Sequence, residues 1–259
     1  MLLREIIDSI ELVAPRSAQE EWDNSGMQVG DTERDIASVL LTTDITENVV
    51  NEAIMRGCQL IISHHPLLFH GLKQICGQTP QARIVEMAIK NNIAVYSAHT
   101  NLDSVQGGIN TRLAEKLGLE GISGLAVSGL GVSGLGAIGR LKKPMKYEDF
   151  LAYVRDTLKC TYVRYTRAKG EMVQTVALCG GSGAEFIETA IERGADVYLT
   201  ADCKYHEFQD ADGRIGIVDI DHWISERHAR EIFRDIIEPL GVKCFISEAD
   251  QSPVRVLDC

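Results

Sequence analysis

Apolar residues recur along this chain with two periods, and the alternation between them predicts the fold class. Leu3, Ile6, Ile7, Ile10, Val13 and Ala14 fall at helical spacing over residues 2–14, with Pro15 as a stop. Residues 38–44, 60–62 and 93–97 are short β-branched or apolar runs that read as buried strands. Between and after them, 48–56, 81–91 and 108–117 carry helical spacing. The first and third of these helices are closed by Gly57 and Gly118, residues suited to the left-handed turn after a helix. The rhythm resumes with a helix over 147–158, strands over 161–165 and 175–179, a helix over 184–193, and strands over 196–200 and 215–219. A last long helix is predicted from His222 to Leu240, with Ala229, Ile232, Phe233, Ile236, Ile237 and Leu240 as its stripe, before a strand over 243–247. Strands alternating with helices in this way predict an α/β protein with largely parallel sheets and helices on their faces.

Residues 123–139 interrupt the pattern with three near-copies of a short unit, Ser123-Gly124-Leu125, Ser128-Gly129-Leu130 and Ser133-Gly134-Leu135. A phosphate-cradling glycine loop belongs between a strand and a helix start. This stretch instead leads into Lys142-Lys143-Pro144, so it reads as a flexible crossing between two subdomains. The net charge of −11 argues against a passive nucleic-acid binder, which needs a basic stripe. It leaves room for an anionic substrate, because bound metal ions reverse the local field. No run approaches the roughly 18 apolar residues of a membrane span, and Arg4 and Glu5 break up any signal-peptide core. The seven cysteines are odd in number, scattered and without a CxxC pair, which reads as reduced thiols in a cytoplasmic protein. Cys58 and Cys179 sit in apolar runs and are expected in the core.

Three clusters carry candidate chemistry. His64 and His65 stand at the C-terminal end of a predicted buried strand, the edge where open α/β sheets place ligands. Adjacent extended residues point in different directions, so the pair suits two ions, or one ligand and one supporting donor; a purely structural pair is the alternative. A second strand leads into His99 and Asp103, for which a cap on the helix over 108–117 is the competing role. In the third cluster His222 and Glu226 are four apart at a helix start and share one face, whereas His228 falls on the opposite face and reads as surface. Trp223 between them reads as core. His64, His65, Asp103, His222 and Glu226 make a mixed nitrogen and oxygen set that suits Zn, Fe, Mn or Co better than Ca or a thiolate-bound ion. Two ions about 3.5–4 Å apart would activate a water and polarise a substrate oxygen. Asp44, at a strand end, and Lys204 and Tyr205 are weaker candidates.

The segments WDNSGMQVGD (22–31), SHHPLLF (63–69), SAHTNLD (97–103), TADCKYHEFQDA (200–211) and HWISE (222–226) occur in this order. Together they resemble the NIF-three-like dinuclear metal centre family, many of whose bacterial members are labelled GTP cyclohydrolase 1 type 2 homologues. The resemblance spans most of the chain, in the family's short form without a large central insertion. It implies two divalent ions per subunit, held by His64, His65, Asp103, His222 and a bridging Glu226. It makes His99 and His206 candidate catalytic residues, as proton carriers or substrate contacts. It further implies two interlinked, three-layer-like α/β domains, here placed at 1–125 with 217–259 and at 126–216. The expected assembly is a toroidal homohexamer, a trimer of dimers, with no nucleic-acid or membrane partner. The implied activity is metal-dependent hydrolysis of a nucleotide such as GTP. A metal-handling protein whose ions are cargo, and a regulatory scaffold ring, are the competing functions.

Overall fold

A computed structural model of the chain describes residues 1–126 and 134–257. These residues separate into two compact units. Unit 1 comprises Met1–Leu102 and Ala229–Gln251, and unit 2 comprises Asp103–His228 together with the segment from Ser252 onward. Unit 1 begins with α1 (Leu3–Val13), β1 (Gly26–Val29), β2 (Ser38–Thr42), α2 (Glu47–Arg56), β3 (Leu60–Ser63), α3 (Pro80–Lys90) and β4 (Ala94–Ser97). The short α4 (Thr100–Asp103) carries the chain into unit 2, which contains α5 (Ile109–Lys116), β5 (Leu119–Gly124), β6 (Ala137–Lys146), α6 (Tyr147–Leu158), β7 (Val163–Tyr165) and β8 (Met172–Ser182). Unit 2 continues with α7 (Ile187–Glu192), β9 (Val197–Ala201), α8 (Tyr205–Ala211), β10 (Gly216–Ile220) and α9 (His222–Glu226). The chain then returns to unit 1 for α10 (Ala229–Ile237) and β11 (Lys243–Ile246).

The sheet of unit 1 has the order β1-β4-β3-β2-β11, parallel throughout except for the antiparallel edge strand β1. Its strands are apolar at consecutive positions because both faces are covered. Leu40, Ile61 and Val95 pack against Val49, Val50, Ala53, Ile84, Val85 and Ala88 of α2 and α3. The alternate residues point the other way, and α10 packs on that sheet with α1 against it. On α1, Leu3, Ile6 and Ile10 are fully buried, and each burial stabilises the unit by roughly 1.5–3 kcal/mol. Thr46 caps α2 by accepting a bond from Val49 N at 3.2 Å, and Gly57, at φ 67°, ends it.

The sheet of unit 2 has the order β5-β6-β8-β9-β10-β7. Only β8-β9-β10 are parallel to one another; β5 with β6, β6 with β8, and β10 with β7 run antiparallel. It too has three layers: Phe150 and Val154 of α6 and Leu113 of α5 lie on one face, Ile187 of α7 and Ala211 of α8 on the other. Cys58 and Cys179 are buried, as their surroundings predict. No helix among the described residues is long and apolar enough to cross a membrane.

Four expectations are corrected. Mostly parallel sheets hold for unit 1, while unit 2 is mixed. The stretch 123–139 is not a crossing between subdomains, because its flanks pair within one sheet, Ser123 opposite Ile138 and Gly124 opposite Ala137. Residues 127–133, which include the second copy of the repeat and the first residue of the third, lie outside the described residues. That pairing also moves the boundary from residue 125 to residue 103, and from 217 to 229, since β5 and β10 both belong to the second sheet. The single helix predicted over 222–240 is divided into α9, α10 and a 3-10 turn at Glu238–Leu240, with the break where the chain leaves unit 2.

Candidate metal centre

In unit 1, strand register gathers the side chains. Thr42, Ser63 and Ser97 are paired neighbours at the ends of β2, β3 and β4. Two residues beyond each stand Asp44, His65 and His99. The ladder runs on through His64 N to Thr42 O (3.2 Å), His65 N to Thr43 O (3.0 Å) and Ala98 N to Ser63 O (3.0 Å). Ser63 and Ser97 share a hydroxyl bond of 2.8 Å across the strands. One ring nitrogen from each of His64, His65 and His99 lies within 4.8 Å of the others.

The other side of each ring is fixed. His64, fully buried, bonds through Nδ1 to Ala98 O at 2.9 Å. His65 Nδ1 meets Asp44 Oδ1 at 2.7 Å, and His99 Nδ1 meets Asp23 Oδ1 at 2.8 Å. Asp23 reaches this edge because β1 is antiparallel to β4, with Gly26 opposite Ser97, so the residues entering β1 lie beside those leaving β4. Burial opposes the charge on Asp23, but bonds from His99 and from the Thr100 side chain outweigh it and hold the carboxyl well below its usual range. An imidazole that donates from Nδ1 presents Nε2 as its lone-pair nitrogen, the arrangement by which a carboxylate or carbonyl orients a metal-binding histidine.

Unit 2 uses the same register rule with different chemistry. Thr200 pairs with Asp219, so Asp202 and Asp221, two residues beyond that pair, stand just past the ends of neighbouring strands. Asp221 caps α9 by accepting from Ile224 N at 3.2 Å, which starts the helix that carries His222 and Glu226. Asp202 adopts φ 58°, rare for a non-glycine residue; Asp219, gripped by Arg164, pins that turn by accepting from Cys203 N at 2.8 Å. Asp202 Oδ2 lies 2.6 Å from His222 Nδ1, and His222 Nε2 lies 2.9 Å from Glu226 Oε2. Burial would lower the His222 pKa, yet the carboxylates of Glu226 and Asp202 push it up to about 11.

The sharp turn at the end of β8 makes room for these groups. Gly181, at φ 65°, has so little space that an added Cβ would lie 2.1 Å from Glu226 Oε1. Its N–H donates to Ser225 Oγ at 2.8 Å, and that hydroxyl donates to His222 O at 2.7 Å. Asn110 accepts from Gly180 N at 2.8 Å and donates to Asp103 O at 3.1 Å, tying Asp103 to the same turn. The thiol of the buried Cys179 is raised well above its usual value by burial and by the Asp103 and Glu226 carboxylates nearby.

The structure therefore places His64, His65 and His99 together in unit 1, and Asp103, His222 and Glu226 around one turn in unit 2. Asp103 is not the cap of α5, whose capping position is Gly108. His228 is buried rather than on the surface, because it lies at the break between α9 and α10. Trp223 is half-buried against the unit 2 core. His206 is exposed on α8 with Nδ1 3.3 Å from Gln209 Oε1, and among the described residues it joins no group of three ligand-type side chains. Sequence reading missed Asp23, Asp202, Asn110, Gly181 and Ser225. Counting two residues past the end of the strand predicted over 196–200 finds Asp202, and the run Gly180-Gly181-Ser182-Gly183 after the strand predicted over 175–179 marks the turn.

A model of the family described as Duf34/NIF3 (NGG1p interacting factor 3) matches residues 1–253. The GTP cyclohydrolase 1 type 2 homolog of Clostridium perfringens is 38% identical over 230 residues, which cover 87% of each chain. That of Campylobacter jejuni is 32% identical and covers 95% of this chain and 96% of its own. Among solved structures, a Bacillus cereus protein related to NIF3 superposes with a TM-score of 0.92 at 25% identity, covering 99% of both chains. Reduced HcgD from Methanocaldococcus jannaschii has a TM-score of 0.82 at 28% identity, over 96% of this chain and 98% of its own.

Proposed function

The chain belongs to the Duf34/NIF3 family, and from that premise we propose that it is a hydrolase that uses two divalent metal ions to act on a nucleotide. His64, His65, Asp103, His222 and Glu226 are the residues that would hold them. The observation that carries the reading is the orientation of three imidazoles: His64, His65 and His222 each have Nδ1 within 2.9 Å of a carbonyl or carboxylate oxygen, which assigns Nε2 to binding. The donor chemistry fits a cation, since a proton held between His222 Nε2 and Glu226 Oε2 occupies the same lone pairs that a divalent ion would. Imidazole with carboxylate suits Zn, Fe, Mn or Co.

Such ions, when bound, supply a Lewis acid and bring the pKa of a water toward neutrality. The protein's own residues do the rest. Asp44 and Asp202 hold the imidazoles of His65 and His222 in one tautomer. His99, fixed by the ionised Asp23, is the proposed proton carrier in preference to His206, because its ring stands 5.1 Å from that of His64. The names of the relatives favour GTP as substrate, with opening of the purine imidazole ring as the reaction. A toroidal homohexamer is the proposed assembly, to be read by sedimentation.

The test is turnover of GTP by purified, metal-loaded protein. Wild type is expected to release the ring-opened product, and His64→Ala and Glu226→Ala to lose at least a hundredfold in rate, the scale of removing one transition-state contact of about 2.7 kcal/mol. Turnover that survives both substitutions contradicts the proposal. Rapid metal exchange without turnover of any nucleotide favours a metal-handling role instead.

A further inference from the structure

The described part of unit 1 carries two large aromatic side chains that its core does not use, beside the imidazole cluster. Trp22 is 60% exposed and Phe69 is 40% exposed. Their ring centroids are 5.9 Å apart with planes inclined at 59°, so the rings form an open corner rather than a closed stack. His99 closes the inner side, 6.1 Å from each ring, and stands 5.1 Å and 5.5 Å from His64 and His65.

Both rings ride on anchored backbone. Asn24 Nδ2 donates to Leu68 O at 2.7 Å, and Leu68 N donates to Gln28 Oε1 at 3.1 Å, which binds the segment carrying Trp22 to the one carrying Phe69. Asp23, the next residue after Trp22, accepts from the Thr100 backbone N–H at 3.1 Å as well as bonding His99. Exposed large apolar groups gain nothing from burial, and a contiguous pair held in place beside a polar cluster suits a recognition surface. Two rings at an angle offer one face for stacking and one edge for a perpendicular contact, the two geometries that aromatic groups prefer.

We propose that Trp22 and Phe69 form the subsite for the planar heteroaromatic ring of the substrate, seating a nucleobase next to the His64–His65–His99 cluster. The inference rests on the proposed nucleotide hydrolase and assigns its base-binding side chains. Base stacking is indifferent to which base is present, so purine monophosphates in general bind here. The phosphate-bearing portion makes no contact with the two rings.

The test is equilibrium binding of guanosine monophosphate and of ribose 5-phosphate, its counterpart without a base, to metal-loaded full-length protein. Trp22→Ala is expected to weaken guanosine monophosphate binding by about tenfold, the usual scale of one lost stacking contact. Trp22→Phe retains binding within about threefold, because a benzene face still stacks, and ribose 5-phosphate is unaffected by either change. Phe69→Ala gives a second, smaller loss. Should Trp22→Ala not fold, quenching of Trp22 fluorescence by guanosine monophosphate in a Trp223→Phe background reads the same contact. The proposal is overturned by unchanged binding in Trp22→Ala, by equal weakening of ribose 5-phosphate, by absence of quenching, or by a shift in oligomeric state showing that a second copy of the chain covers the corner. Binding does not require turnover. Unchanged base binding in Trp22→Ala, with GTP turnover by the wild type intact, sinks this subsite alone, whereas tenfold-weakened binding in a protein that turns over no nucleotide sinks the hydrolase and leaves the subsite standing.

Discussion

At the sheet edge of unit 1 three imidazoles gather, two with a carboxylate and one with a backbone carbonyl one bond behind; at the edge of unit 2 one imidazole lies between an orienting carboxylate and one that is itself a candidate donor. The construction is shared. In both units parallel strands in register deliver residues two places past a cross-strand pair to one level, and an acid so delivered, Asp44 or Asp202, holds the Nδ1 of a neighbouring histidine. The difference is where negative charge resides. In unit 2 it lies against the imidazole on both sides and lifts the His222 pKa to about 11. In unit 1 the carboxylate of Asp23 sits behind His99, stabilised by the bonds it accepts. On the proposed reading, a cation at the unit 2 edge would take the place of a proton, and the unit 1 edge would contribute nitrogen donors already oriented by their partners.

The comparison breaks most severely at Gly181. Gly181→Ala places a methyl group 2.1 Å from Glu226 Oε1, so the carboxylate must leave its position. Gly194→Ala, at φ 72° with open space around it, is the control for backbone strain alone, which costs about 1–2 kcal/mol. Metal analysis and urea denaturation should show Gly181→Ala losing metal as well as more stability than the control. Equal behaviour of the two variants would mean that Glu226 is not positioned by that turn.

The next largest effects come from the two orienting acids. Asp44→Ala and Asp202→Ala should each weaken metal binding by roughly 10–100-fold, the usual consequence of removing the partner that fixes a ligand's tautomer. The Asp202 variant should also lower the His222 pKa in metal-free protein, since one of the carboxylates raising it is gone. Competition with a chelating dye reads the affinities, and NMR titration of the imidazole reads the pKa.

The smallest effect concerns acid stability. Burial opposes the charge on Glu52, but bonds from the Ser247 hydroxyl, the backbone N–H groups of Ala249 and Glu248, and Arg56 lower its pKa. Its stabilisation is complete above the ordinary carboxylate range of about 4 and is lost as pH falls through its lowered folded value. Glu52→Gln should therefore destabilise the protein near neutrality by on the order of 1–2 kcal/mol, with the gap from wild type closing as pH falls below the ordinary carboxylate range. A gap constant with pH would show that these contacts do not depend on the carboxylate charge.

Sequence periodicity revealed what local spacing encodes. The helix over 147–158 and the helical run after residue 47 follow directly from their apolar stripes, and the strands leading to His64 and His99 are continuous buried runs. It failed where pairing partners are distant. β6 alternates poorly at its second half, where Lys142, Lys143 and Lys146 are exposed, and β5 is half-exposed, so neither reads as a strand until the two are paired. The break after α9 is invisible for a related reason: the apolar stripe continues through it, while the chain changes unit. Candidate ligands stood out because adjacent histidines and an i, i+4 His–Glu pair are local signals. Asp23 and Asp202, which orient them, become visible only through strand register.

The most direct test of the central claim is a count of metal. Protein stripped with a chelator and titrated with Zn²⁺ is expected to bind two ions per chain and to release protons in doing so. His64→Ala and Glu226→Ala should each reduce the stoichiometry or weaken binding by more than tenfold. Two ions bound with undiminished affinity in both variants, or no ion bound by wild type, would contradict the account.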